Sequence, residues 1–245
     1  MGEIIPVNGL SNREFLERYA APGRIGLVGG TTLVDQAICR AQRHLHDRRQ
    51  WGVWSHAFVF QGVRVDGHHW VVESDIQIHR KHIQLGVQEN RVTKYHDEAL
   101  YASLAVLDFG LSDEQVKTIV CEGLELVANH ERYSLRELFG TLLALRHAPL
   151  RAEANLLARE RSIFCSAFVR HIFRRAGVDL VPGVDVKNTA PEDIANSALP
   201  HNRYTLLRDV AHSRVEALGR RVKLRVKARL RQVRRKAGGA KAGTA

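Results

Sequence analysis

The sequence predicts an α+β fold in which an antiparallel sheet packs against helices, one of them opening on a cysteine. Three stretches carry that expectation. Gly52 to Phe60 is apolar on both alternating faces, Val53, Ala57 and Val59 on one and Trp54, Phe58 and Phe60 on the other, which describes a strand covered on both sides. His69-Trp-Val-Val-Glu-Ser follows it beyond an Asp66-Gly67 turn, so the two runs make an antiparallel pair. Between Glu160 and Gly177 the residues Phe164, Phe168, His171 and Ile172 recur at helical spacing, Arg174 and Arg175 sit in the last turn, and Gly177 is placed for a left-handed cap.

The remaining elements follow in order. Ser11 to Ala20 reads as a short helix with a capping box of Ser11 and Glu14. Ile25 to Val28 is a strand ending at Gly29-Gly30; no Gly-Lys-Ser follows and the spacing of a nucleotide-binding glycine motif is absent, so the pair is read as a turn. Leu33 to His46 has helical periodicity in Leu33, Ile38 and Ala41, with Cys39 expected in the core. Ala102 to Phe109 is a strand candidate. Ser112 then caps a helix whose buried stripe is Val116, Ile119, Val120, Leu124 and Val127, with Cys121 beside it as a core residue. Leu142 to Glu160 is helical in pattern, Val178 to Val181 is a short strand candidate, and Thr189 with Glu192 reads as a capping box with Pro191 in the first turn.

With 245 residues, 44% of them hydrophobic, the chain can fill one core of ordinary size. The expected organisation is a lead-in helix over residues 1–22, a catalytic domain over 23–210 and a basic tail over 211–245. The net charge of +11 is placed unevenly: residues 214–245 hold twelve Lys and Arg against Glu216 alone, leaving 25 basic and 25 acidic residues in the rest. Inference about acidic partners therefore belongs to the tail. There Val215, Leu218, Val222, Val226, Leu230 and Val233 step by three and four, a thin apolar stripe on a basic helix that suits an anionic membrane surface. A nucleic-acid partner rests on the tail alone, because the neutral body shows no basic patch. Three widely spaced cysteines, Cys39, Cys121 and Cys165, fit a reducing compartment better than a disulfide framework. No secretory leader or membrane-length apolar run is evident, so the expected setting is cytoplasmic, with the tail able to meet a membrane from the side.

Chemistry enters through Cys165. A thiol in the first turn of a helix feels unpaired backbone donors and the positive end of the helix dipole, and both favour thiolate. A small buried cysteine is the commonest fate of such a residue. What raises its interest is His56, which interrupts an apolar strand face, and Glu73, which closes the next strand. Nucleophile, base and orienting acid are thus all present. The histidines His44, His46, His68, His69, His79 and His82 suggest a metal at first sight, and His79 and His82 are spaced for one helix face. No ligand signature with a carboxylate or cysteine partner accompanies them, and Arg80 and Lys81 would repel a cation, so no metal site and no cofactor are expected.

Trp-Ser-His-Ala-Phe-Val around His56, Trp-Val-Val-Glu-Ser around Glu73 and Phe-Cys-Ser-Ala-Phe-Val around Cys165, in that order, resemble the circularly permuted branch of the NlpC-type papain-like hydrolases, the YiiX-like group, with lecithin retinol acyltransferase-like enzymes as more distant relatives. Gly23-Arg-Ile-Gly-Leu-Val resembles that group's opening strand, and Tyr133-Ser-Leu-Arg-Glu-Leu-Phe its tyrosine-bearing segment. The resemblance implies a permuted papain-like fold, a cysteine hydrolase or acyltransferase acting on an amide, ester or thioester of a peptide or lipid, and a Cys165-His56-Glu73 triad; Tyr133 reads equally as a substrate-side hydroxyl or an ordinary buried aromatic. Two positions depart from the pattern. Arg24 stands where the family has an acid. A two-residue turn at Asp66-Gly67 would also pair Phe60 with Glu73 and leave that acid about 13 Å along the strand from His56. Either Gly62 marks a bulge or a wider loop that resets the register, or Asp75 or Gln77 is the orienting group. The alternative to an enzyme is a non-catalytic papain-like module that docks through its basic tail.

Overall fold

The computed structural model describes residues 2–45, 50–79, 82–129, 151 and 164–208, without the side chains of 44, 76–79 and 82–85. Tyr133, the helical pattern of 142–160 apart from Arg151, Gln77 as a side chain and the basic tail lie outside the described residues. The chain divides into two units, Met1–Leu207 and Arg208–Ala245, and the elements below belong to the first.

Seven strands form one sheet: β1 (Glu3–Pro6), β2 (Ile25–Gly30), β3 (His56–Val63), β4 (His69–His79), β5 (His82–Arg91), β6 (Tyr101–Asp108) and β7 (Asn202–Leu207). They lie in the order β1-β7-β6-β2-β3-β4-β5. Every pairing is antiparallel except β1 with β7, which is parallel, so the expected all-antiparallel sheet is corrected to a mixed one. Strand alternation splits the core into two layers. Ile25, Leu27, Ala57, Val59, Val72, Ala105 and Leu107 face helices α3 (Asp113–Ala128) and α4 (Cys165–Arg175), meeting Ile119, Phe168, Val169, Ile172 and Phe173. On the other face Val28, Phe58, Phe60, Val71, Leu104 and Val106 pack on Phe15 and Leu16 of α1 (Asn12–Tyr19) and on Val92 and Tyr95 of a 3₁₀ turn, Val92–His96. Among the described residues, helices α2 (Leu33–Ala41) and α5 (Pro191–Ala195) complete the set.

Local signals explain most helix starts. The Ser11 and Glu14 capping box is present, and Ser112 caps α3 together with Gln115. Gly177 takes φ +77 just beyond α4, as a left-handed cap requires. Other expectations fail for identifiable reasons. Gly29-Gly30 is not a turn but the end of β2, where the register with β6 slips by a bulge. Val178 to Val181 forms no strand; the chain there is tied by Arg170 to Asp179 instead. Cys121 is exposed rather than core, because α3 buries Ile119 and Gly123. Leu33 is exposed too, since a Thr32 and Asp35 box sets the phase of α2. Thr189 does not cap α5: Ala190 stands at that position, and its N–H donates to Asp193. His79 and His82 lie on no helix, but face one another at the end of the β4–β5 hairpin.

Candidate active site

Cys165 is the first residue of α4, and His56 is the first of β3. Phe164 precedes the helix in an extended conformation and supplies no side-chain cap, so the first-turn amides are not capped by a side chain. His56 runs in step with Phe58 and Phe60, whose layer is opposite the one that receives Phe168 and Ile172 of α4. The thiol and the imidazole come together where both elements begin, near enough for the cysteine to raise the pKa of the histidine.

Their placement is held from both sides. Ser166 donates through its hydroxyl to the carbonyl of Thr189 at 2.7 Å. The buried Arg170 reaches Asp179 at 2.9 Å, the Val184 carbonyl at 2.6 Å and Thr189 Oγ1 at 3.0 Å. The approach to His56 is fixed by Gln42, whose Nε2 donates to the Trp54 carbonyl at 2.7 Å, and by Glu192, whose Oε2 accepts from the Val53 and Trp54 amides. Ser55 donates to Asp35 at 2.7 Å. Arg24, the position that departs from the family pattern, makes an ion pair with Asp108 at 2.5 Å on the sheet.

Glu73 is brought to His56. Its Oε2 lies 2.6 Å from His56 Nε2 and also accepts from the Tyr95 hydroxyl. The other oxygen, Oε1, accepts from Asn90 Nδ2 at 2.7 Å and Lys94 Nζ at 2.8 Å. Lys94 continues to Asp75 at 2.5 Å. The register explains why the expected separation of about 13 Å does not occur. The turn holds three residues between Arg64 and His68, with Gly67 at φ +73, and Gly62 forms a bulge between the pairs Phe60–Val71 and Gly62–Trp70. Each one-residue shift alone would turn Glu73 to the wrong face, whereas together they keep the face and bring it two residues closer. Of the alternatives for the orienting group, Asp75 reaches Lys94, and the side chain of Gln77 is outside the described residues.

The electrostatics favour an ionised cluster. Burial works to lower the His56 pKa, but the influence of Cys165, the hydrogen bond to Glu73 and the charge of Asp75 hold it well above the ordinary imidazole value. For Glu73, burial acts upward and is overcome by Lys94 and His56, which keep the carboxyl well below its usual range. Burial raises the Tyr95 phenol, so it remains a donor. The other buried thiol, Cys39, is pushed up to about 12 by burial, with Asp35 and Glu192 adding to the effect, and its Sγ meets the Val53 carbonyl at 3.6 Å. Such a thiol is a poor nucleophile. Sequence reasoning missed Asn90, Lys94 and Tyr95: they arrive from 17 to 22 residues beyond Glu73, in a segment without a chemical motif. Among the described residues no group of three or more His, Cys, Asp and Glu is arranged to hold a metal ion.

No family model and no curated protein matches the sequence. Among solved structures, one described as metalloprotein yiiX from Escherichia coli O157:H7 superposes with a TM-score of 0.49 at 13% identity, over 78% of this chain and 98% of that one.

Proposed function

We propose that the protein is a cysteine-dependent acyl-transfer enzyme, a hydrolase or acyltransferase of the permuted papain-like type, with Cys165 as nucleophile, His56 as base and acid, and Glu73 as the group that orients and charges the imidazole. The observation that carries this reading is the 2.6 Å bond between the His56 imidazole and the buried Glu73 carboxylate, with Cys165 at the start of its helix acting on the same ring. The ordered motifs around His56, Glu73 and Cys165 resemble that group as well.

With Nε2 engaged by Glu73, His56 offers Nδ1 to the thiol. The Cys165 proton passes to that nitrogen, and the thiolate attacks the carbonyl carbon of an amide, ester or thioester. Charge then develops on the carbonyl oxygen, where the Cys165 backbone N–H is available as a donor. As the tetrahedral intermediate collapses, the imidazolium returns its proton to the departing amine, alkoxide or thiolate, leaving an acyl-thioester on Cys165. Water or another acceptor gives a proton to His56, attacks the thioester and releases the acyl group, with the thiol restored. No cofactor is called for. Peptide and lipid acyl groups are both compatible with this chemistry, and we place Tyr133 on the substrate side by family resemblance. The tail over 211–245 is proposed to dock on anionic membrane.

A panel of amide, ester and thioester acyl donors, read as acyl adducts by peptide mass, tests the proposal. An adduct on Cys165 that disappears in Cys165→Ala and survives in Cys39→Ala and Cys121→Ala is expected. The peptide readout matters because Cys121 is exposed and open to random modification. Equal adduct formation in all three variants would contradict the assignment.

A further inference from the structure

We propose that Lys94 is a positioning residue that keeps the negative charge of the site on Glu73, directly behind His56, instead of letting it settle on Asp75; the inference rests on the acyl-transfer reading above.

The geometry carries it. Lys94 Nζ stands between two carboxylates, 2.8 Å from Glu73 Oε1 and 2.5 Å from Asp75 Oδ2. The Glu73 side chain has no exposure, while that of Asp75 is 23% exposed. Lys94 touches the Glu73 oxygen that does not meet His56, so it acts on the imidazole only through the carboxylate. Two acids bridged by one ammonium leave one net negative charge, which an imidazolium at His56 neutralises. Without the ammonium, two close carboxylates do not both stay ionised, and the proton goes to the one deprived of water. That one is Glu73. The remaining charge would then sit on Asp75, partly hydrated and one step further from the ring. His56 would lose its ionic partner with no side chain having to move, and the thiolate-imidazolium pair would weaken.

Among the described residues, the charged and titratable groups gathered about His56 are Cys165 from α4, Glu73 and Asp75 from β4, and Lys94 and Tyr95 from the 3₁₀ turn, with Tyr101 of β6 close to the same acids. Lys94 is the cation among them. Its attraction is the foremost influence opposing burial at Glu73, and its own ammonium is held raised, against burial, by Glu73 and Asp75.

The test needs no substrate. Iodoacetamide alkylation of Cys165 in the full-length chain is followed against pH by peptide mass, for the wild type, Lys94→Met, Lys94→Arg and His56→Ala, with circular dichroism as the folding check. The wild type is expected to react faster near neutrality than His56→Ala. Lys94→Met should slow that reaction roughly tenfold, and Lys94→Arg should restore it, which a merely structural role would not predict. A folded Lys94→Met with the wild-type profile overturns the inference. Where Lys94→Met does not fold, Lys94→Met/Asp75→Asn removes the second seat for the charge together with its counter-ion. Profiles near wild type for that variant and for Lys94→Arg support the inference, and an ordinary thiol profile in either overturns it. A wild type that already behaves as an ordinary thiol and matches His56→Ala overturns the acyl-transfer reading with it. A wild-type advantage near neutrality that is lost in His56→Ala but kept in Lys94→Met overturns the inference alone.

Discussion

Glu73 shows how much one carboxylate can be made to do. Four donors fill its two oxygens, so its orientation and its charge are both specified, and one of those donors, His56, is the proposed base. Changing it to glutamine keeps the shape and removes the charge. Glu73→Gln is expected to slow acyl transfer by about 10²-fold or more, within the range for general acid-base groups, and to slow Cys165 alkylation near neutrality as well. The same residue has a stability signature. Its carboxyl is held low in the folded state, so its contribution is present above the unfolded carboxylate pKa of about 4.3 and is lost as pH falls through that value toward the folded one. Urea midpoints should therefore climb between about pH 3 and pH 6 in the wild type, and climb less in Glu73→Gln. An equal climb in both would place the acid-sensitive group elsewhere.

Among the elements, β3 and β4 decide whether the site exists. The types of residue needed were legible from the chain: a histidine interrupting an apolar strand, an acid closing the next one, a cysteine opening a helix. Their spacing was not. It depends on a three-residue turn ending at Gly67 and on the Gly62 bulge, and a period-two pattern reads the same after a two-residue shift. Gly62 has φ +122, and a Cβ there would stand 3.1 Å from Pro22 Cγ. Gly62→Val should cost about 1–3 kcal/mol, read as a lower Tm, and should slow Cys165 alkylation further than the loss of fold explains. A destabilised protein with the wild-type rate in its folded fraction would show that the bulge does not set the site. The strands at one side of the sheet hid for another reason. β1 is a short edge strand with Ile4 58% exposed, and it pairs with β7, itself only six residues long and lying between β1 and β6.

For the whole molecule, two apolar layers hold the sheet between α3 and α4 on one face and α1 with the 3₁₀ turn on the other, and the cysteine helix is positioned by that packing as much as by its own sequence. The α+β character was readable because the strands near the centre are apolar on both faces. The cluster behind His56 was not, since Asn90, Lys94 and Tyr95 reach Glu73 only once β4 and β5 are paired. The +11 charge belongs to the sequence of the tail, where each Lys or Arg near an anionic bilayer is worth about 1 kcal/mol. Full-length protein should sediment with anionic vesicles in a salt-sensitive way and a chain stopped at Ala211 should not; equal sedimentation would remove the tail from membrane binding. The most direct test of the central claim is the pH profile of Cys165 alkylation in the wild type beside His56→Ala. The wild-type thiol is expected to react near neutrality faster than a free cysteine and to lose that advantage when the imidazole is removed. Two superimposed profiles with an ordinary thiol midpoint would contradict the claim.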